Sequence, residues 1–260
     1  MSEEKTLVKI ILVKQKRNKY EVFTSIDETG IIFTEEEIVI NRIIKGVTFT
    51  KEKWEEIKNK HEQSLLYEKA LKYISYKPRT ILEVTNHLKE LSDDINSINQ
   101  IIEKLIKLDF LNDTRYAYSY LESSIRTGNG PIKISHELHN KGIEEKIIKD
   151  ILLTYTTEQQ IDVAYETATK YLKLITKYPV RKQKELISQK LIRSGFNYSI
   201  INQVISKITF ENDSLEQLQK DYEKISKKTS DKNKIIQHLL QKGYEYSDIK
   251  QILNNNIYEE

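Results

Sequence analysis

The feature that most constrains this chain is a period. Ser92, Gly142, Gly195 and Gly243 fall 50, 53 and 48 residues apart, and each ends an apolar pattern in the same way. Leu88, Leu138, Leu191 and Leu239 stand four residues before these breaks. Ile98, Ile148, Ile201 and Ile249 stand six residues after, and Ile101, Ile151, Val204 and Ile252 nine after. An upstream break recurs as Pro78, Pro131, Pro179 and the Thr229-Ser230-Asp231 turn. A leucine one turn before a stop, then apolar residues three apart beyond it, describes two helices joined by a tight connection. Each unit therefore reads as three helices whose second and third carry matched apolar positions. Units of this size bury their faces partly on their neighbours, so an elongated, curved tandem array is expected. The repeats are placed at 63–112, 113–156, 157–210 and 211–260.

Composition agrees with a mainly α chain. Seven Gly, three Pro, 31% charged residues and a mean hydropathy of −0.59 describe helices with wet outer faces. Residues 1–62 differ. TLVKIILVKQKRNKYEVFTSI alternates apolar and charged residues about Lys16-Arg17-Asn18-Lys19, as a hairpin does. Asp27-Glu28-Thr29-Gly30 is a second turn signal, and Ile31-Ile32-Phe33 a third strand. Thr34 followed by three glutamates starts a helix that holds Ile38, Ile40 and Ile43 and stops at Gly46; Thr50 opens another through Trp54 and Ile57. This predicts a small α/β module, a hairpin plus helices, docked on the rest of the chain.

The best punctuated stretch is LNDTRYAYSYLESSIRTGNGPIKISHELHNKGI, residues 111–143. Asp113 or Thr114 can cap a helix bearing Tyr116, Tyr120 and Ile125 on one side; Thr127-Gly128-Asn129-Gly130 stops it. Pro131 suits the first turn of the next helix, which carries Ile134 and Leu138 and ends at Lys141-Gly142. Asp113-x-Arg115-Tyr116-Ala117, Arg126, Gly130-Pro131, Glu137-Leu138 and Lys141-Gly142-Ile143 closely resemble the signature of the RecX family, small regulators of the recombinase RecA. Two positions depart from it: Asn112 stands where an acid is common, and Lys133-Ile134 where the family often has a more arginine-rich pair. The resemblance runs from about residue 65 to 255 and extends to Ala70, Tyr73, Ser75, Lys77, Arg79 and Glu83 in the first repeat. It implies tandem three-helix repeats and a non-enzymatic regulator. Such a protein lies along the groove of the RecA filament on DNA and limits ATP hydrolysis, strand exchange and coprotease activity.

Net charge is only +3, but residues 115–200 hold 14 basic and 9 acidic groups. Within them Lys170, Lys173, Lys177, Arg181, Lys182, Lys184, Lys190 and Arg193 are interrupted by Glu185 alone. Such a patch can steer a polyanion or an acidic protein groove, and it can equally be a solvated lysine face. From charge, motif position and repeat phase, the residues expected to meet the filament are Arg79, Arg115, Arg126, Lys133, Lys141, Arg181 and Arg193. An alternative is a DNA-binding protein, on single or double strands, that blocks recombination by occupying the strand. Aromatic side chains beside cations can stack bases, and Tyr118 reads as either exposed near Arg115 and Arg126 or buried.

Enzymatic chemistry finds little support. His136 and His139 have no third ligand at metal-site spacing, HExxH and GxxxxGK[ST] are absent, and the acid clusters sit at helix starts. No metal, cofactor or catalytic residue is expected. The lack of cysteine removes disulfides and thiol chemistry. MSEEKTLVK lacks the pattern of a signal peptide, and no apolar run reaches the roughly 18 residues that span a bilayer. A soluble, cytoplasmic monomer is expected.

Overall fold

A computed structural model describes residues 7–27, 29–210 and 214–255. Part of the expected second turn, at Glu28, and the first and last residues of the chain lie outside these. The chain divides into two compact units, residues 1–112 and 113–260.

The first unit opens with a four-stranded antiparallel sheet of order β3-β2-β1-β4. Strands β1 (Leu7–Lys16) and β2 (Lys19–Thr24) form the expected hairpin, with Lys16 opposite Lys19, and β3 (Ile31–Thr34) pairs with β2. Thr34 caps α1 (Glu35–Asn41) in a capping box with Glu37. That helix ends sooner than Gly46: Arg42 adopts the left-handed conformation and donates its N–H to Val39. A strand that local pattern did not reveal, β4 (Thr48–Thr50), then pairs with the start of β1. Val8, Ile10, Val22, Phe33, Ile43, Trp54 and Ile57 form the core of this module.

Helix α2 (Lys51–Ser75) runs unbroken through residue 62, where the module was expected to give way to the first repeat. Its first half carries Trp54 and Ile57 into the core beneath the sheet, and its second half carries Leu66 and Ala70 into the next. Between them, buried His61 bonds Glu37 at 2.9 Å and packs on Phe33. With α3 (Ile81–Lys89) and α4 (Ile95–Lys107), the second half of α2 closes a three-helix core around Val84, Leu88, Ile98, Ile101 and Leu105.

The second unit holds three further triplets. These are α5 (Asp113–Arg126), α6 (Pro131–Asn140) and α7 (Glu145–Leu153); α8 (Thr157–Leu172), α9 (Val180–Arg193) and α10 (Tyr198–Lys207); and α11 (Ser214–Ser226), α12 (Lys232–Lys242) and α13 (Tyr246–Asn255). Each triplet encloses its own apolar cluster. All twelve leucine, isoleucine and valine positions that define the period are buried, the most exposed being Ile252 at 7%. The three glycine breaks have φ of 76°, 87° and 99°, the left-handed region that releases the last carbonyls of a helix to the residues just beyond it.

Consecutive triplets of this unit meet at those breaks. The N–H of Gly130 donates to the Ser194 carbonyl at 2.6 Å, and that of Ile132 to the Gly195 carbonyl at 3.1 Å. The first turn of α6 thus spends two of its unpaired donors on the end of α9. One triplet further on, Gly243 lies against Lys182 in the first turn of α9.

Candidate functional site

The signature stretch builds one side-chain network across α5 and α6. Tyr116 and Tyr120, one helical turn apart, align their rings at 6.2 Å and 12°. The Tyr120 hydroxyl donates a short hydrogen bond to the Glu137 carboxylate on α6. Burial first, and then that hydrogen bond, push the Tyr120 phenol up to about 12. Lys141 lies 5.5 Å from the Tyr116 ring centroid, and Lys133 approaches Glu137 at 4.0 Å. Glu137 therefore fixes α6 to α5 and leaves Lys133 and Lys141 presented one to each side of it.

Arg126 has different company. It lines a cleft of about 480 Å³ with Lys170 of α8 and Lys190 of α9, between the triplets of residues 113–153 and 157–207. Ile125, Val163, Tyr171 and Leu174 give the cleft apolar walls, while Asp162 and Glu166 bring acid to it. Lys170 pairs with Glu166 at 3.1 Å. At the cleft wall Gly128 comes close to Thr167: a Cβ on it would stand 2.4 Å from the Thr167 hydroxyl.

The other expected residues are dispersed. Arg79, between α2 and α3, is half-buried with its guanidinium 4.0 Å from the Tyr73 ring, which in turn stacks on His87. Its Nε is buried without a hydrogen-bond partner. Arg115 is exposed in the first turn of α5. Arg181 and Arg193 are exposed near opposite ends of α9, about 18 Å apart at 1.5 Å per residue. Tyr118 is exposed at 43%. His136 and His139 are both exposed, His136 contacting Asn140 at 3.3 Å. Among the described residues no group of three or more His, Cys, Asp or Glu could hold a metal ion. No helix among them is long and apolar enough to cross a membrane.

Sequence reasoning named Lys133, Lys141 and Arg126 but not what organises them. That Tyr116 and Tyr120 share a face was legible from their spacing, but Glu137 as anchor, and Lys170 and Lys190 as neighbours of Arg126 in the cleft, emerge only from how the helices pack. Tyr120 and Glu137 are separated by 17 residues and a helix break, and no local spacing rule joins them.

Comparison with known proteins places this arrangement. The family model for the second three-helix domain of RecX matches residues 112–152, the stretch that forms α5, α6 and α7. A curated relative from Streptococcus agalactiae, "Regulatory protein RecX", is 34% identical over 231 residues, which cover 85% of this chain and 88% of the relative. One of the same description from Listeria welshimeri is 30% identical, with 84% and 82% covered. Two crystal structures share the architecture. One of regulatory protein RecX has a TM-score of 0.61 at 26% identity and covers 77% of this chain and all of its own. That of RecX from Lactobacillus salivarius has a TM-score of 0.52 at 36% identity, covering 56% of this chain and 96% of its own. With its repeats, its signature network and relatives matched over most of their length, the chain belongs to the RecX family of regulatory proteins.

Proposed function

We propose that this protein is a non-enzymatic regulator that binds the RecA filament on DNA and inhibits its recombinase, ATPase and coprotease activities, acting as a cytoplasmic monomer. The observation that carries this reading is the 34% identity to a regulatory protein RecX over 85% of the chain. The family resemblance supplies RecA as the partner. The side chains offered to it are Arg115, Arg126, Lys133, Lys141, Arg181 and Arg193, with Arg79 contributing from the first repeat. Lys133 and Lys141 are positioned by the Glu137 and Tyr116 contacts, and Arg126 lines the cleft. Several weak contacts spread over tandem repeats can engage neighbouring protomers at once, so modest single contacts add to firm attachment.

The test is DNA-dependent ATP hydrolysis by the cognate recombinase, titrated with this protein at fixed salt, beside a binding assay on the same DNA alone. Inhibition well below the protein level that coats DNA is expected. The double variant Arg115→Glu/Arg126→Glu should raise the half-inhibiting concentration roughly tenfold, about 1.4 kcal/mol, with helicity unchanged. Unchanged inhibition by that variant would remove these two residues from the contact. The second reading, occupation of the DNA strand, draws on the cationic lining that Arg126, Lys170 and Lys190 give the cleft. It predicts inhibition only at coating levels, with a salt slope of about −0.9 per phosphate on duplex and about −0.7 on single strands.

A further inference from the structure

The N-terminal sheet has an open edge. Strand β1 is ten residues long, but β4 covers only its start: Leu7, Val8 and Lys9 face Thr50, Phe49 and Thr48. Ile10 completes this cover, donating to the Val47 carbonyl and accepting from Gly46. Beyond a bulge between Ile10 and Leu12, β1 continues to Lys16 paired on one side only, with β2. Lys16 and Lys19 flank a two-residue loop, the position of a hydrogen-bonded pair in a hairpin, so by alternation Val13 and Gln15 direct their N–H and C=O away from β2. Among the described residues none bonds to those four groups.

The surroundings are selective. Ile11 is half exposed, and Lys14 and Lys16 are exposed along the strand, followed by Arg17 and Lys19 at the turn. The one acid among them, Glu21, is paired with Lys16 at 3.0 Å. Lysines on an edge strand ordinarily prevent two copies from pairing, since like charges would face each other. The same charges favour an incoming strand of opposite sign. Unpaired backbone groups, an apolar seat and flanking cations match an extended peptide that alternates apolar and acidic residues. A phosphate backbone would use the cations but leave the C=O groups unmatched.

We propose that the free half of β1, from Leu12 to Lys16, is a docking edge that takes an acidic, extended peptide segment of a protein partner by antiparallel strand addition. None of its residues is among the cationic residues of the helical repeats, and the proposal does not depend on RecA being the partner there.

The probe is an acetylated, amidated hexapeptide alternating glutamate and valine, with its lysine–valine counterpart as control, added to the full chain at low salt. Hydrogen exchange at the Val13 and Gln15 amides should slow at least tenfold with the acidic peptide and not with the basic one. Gln15→Pro removes an outward N–H without breaking a bond to β2, so the sheet should persist while affinity falls at least tenfold. Lys14→Glu leaves the backbone edge intact and should reverse the preference between the two peptides. Equal binding of both peptides would overturn the proposal, as would undiminished binding by Gln15→Pro. So would a concentration-dependent dimer that Gln15→Pro abolishes, which would make a second copy the occupant. Protection of the same amides by a single-stranded oligonucleotide in place of the acidic peptide would also overturn it.

Discussion

The two joints of the second unit occupy the same place in the repeat and are built to different tolerances. In both, the glycine that ends the second helix of one triplet lies against the third residue of the equivalent helix in the triplet before. At the first joint a Cβ on Gly195 would stand 2.4 Å from the Lys133 backbone nitrogen and 2.5 Å from its Cβ. At the second, a Cβ on Gly243 would stand 2.8 Å from the Lys182 Cβ, with backbone no closer than 3.5 Å. The first joint also has Gly130 at the helix start, whose N–H reaches Ser194; the corresponding residue at the second is Pro179, which has no N–H to give. The Gly-Pro pair of the signature is thus more than a helix break. It lets two main chains come into contact where the other joint keeps a side chain between them.

Substitution at the first joint should break this contrast most severely. Gly195→Ala meets both a left-handed φ of 87° and main-chain atoms that cannot rotate away. A loss of about 4 kcal/mol is expected from strain and overpacking together, read as a lowered urea midpoint. Gly130→Ala has an ordinary φ of −90° but would place its Cβ 2.4 Å from the Gly195 carbonyl oxygen. It isolates the steric part, at about 2–3 kcal/mol. Gly243→Ala, with φ of 99° and only a lysine Cβ close by, should cost about 1–2 kcal/mol, mostly strain. If Gly243→Ala proved as damaging as Gly195→Ala, the two joints would be equivalent in spite of their geometry.

A smaller effect separates the units by pH. The Tyr120 phenol is raised from 10 to about 12, so it stabilises the fold fully below pH 10, and that contribution is lost as pH rises through about 12. Tyr120→Phe should flatten the alkaline loss. In the first unit, burial alone would raise the Glu37 carboxyl, but the Thr34 N–H, the His61 ring and the Thr34 hydroxyl hold it below its usual range. Its contribution is present above the unfolded value near 4.5 and is lost as pH falls below it. Thermal melts from pH 3 to 6 of the parent and Glu37→Gln should therefore converge at the acid end.

The repeats were legible because twelve apolar positions keep one phase over four units, and a buried leucine imposes the same demand each time. The hairpin was legible because its strands alternate around a charged turn. Other features depend on partners distant in the chain. Thr48-Phe49-Thr50 is a strand only because β1 offers it an edge, and α1 ends at Arg42 because Ile43 must turn into the core. Of the site, the choice of cations followed from charge and motif. That Arg126 would share a cleft with Lys170 and Lys190, while Arg79 would lie on Tyr73, followed from helix phase across residues with no short-range relation.

Helix α2 has a mechanical consequence. At 25 residues it is a shaft about 38 Å long, gripped by the sheet at one end and by the first repeat at the other. The sheet and the first repeat are therefore joined by one continuous helix and by no loop. Shortening the chain at residue 62 would sever the shaft mid-span and leave His61 without the support of the helix beyond it. A partner that takes hold of the sheet thus holds a module whose core helix is also a wall of the first repeat.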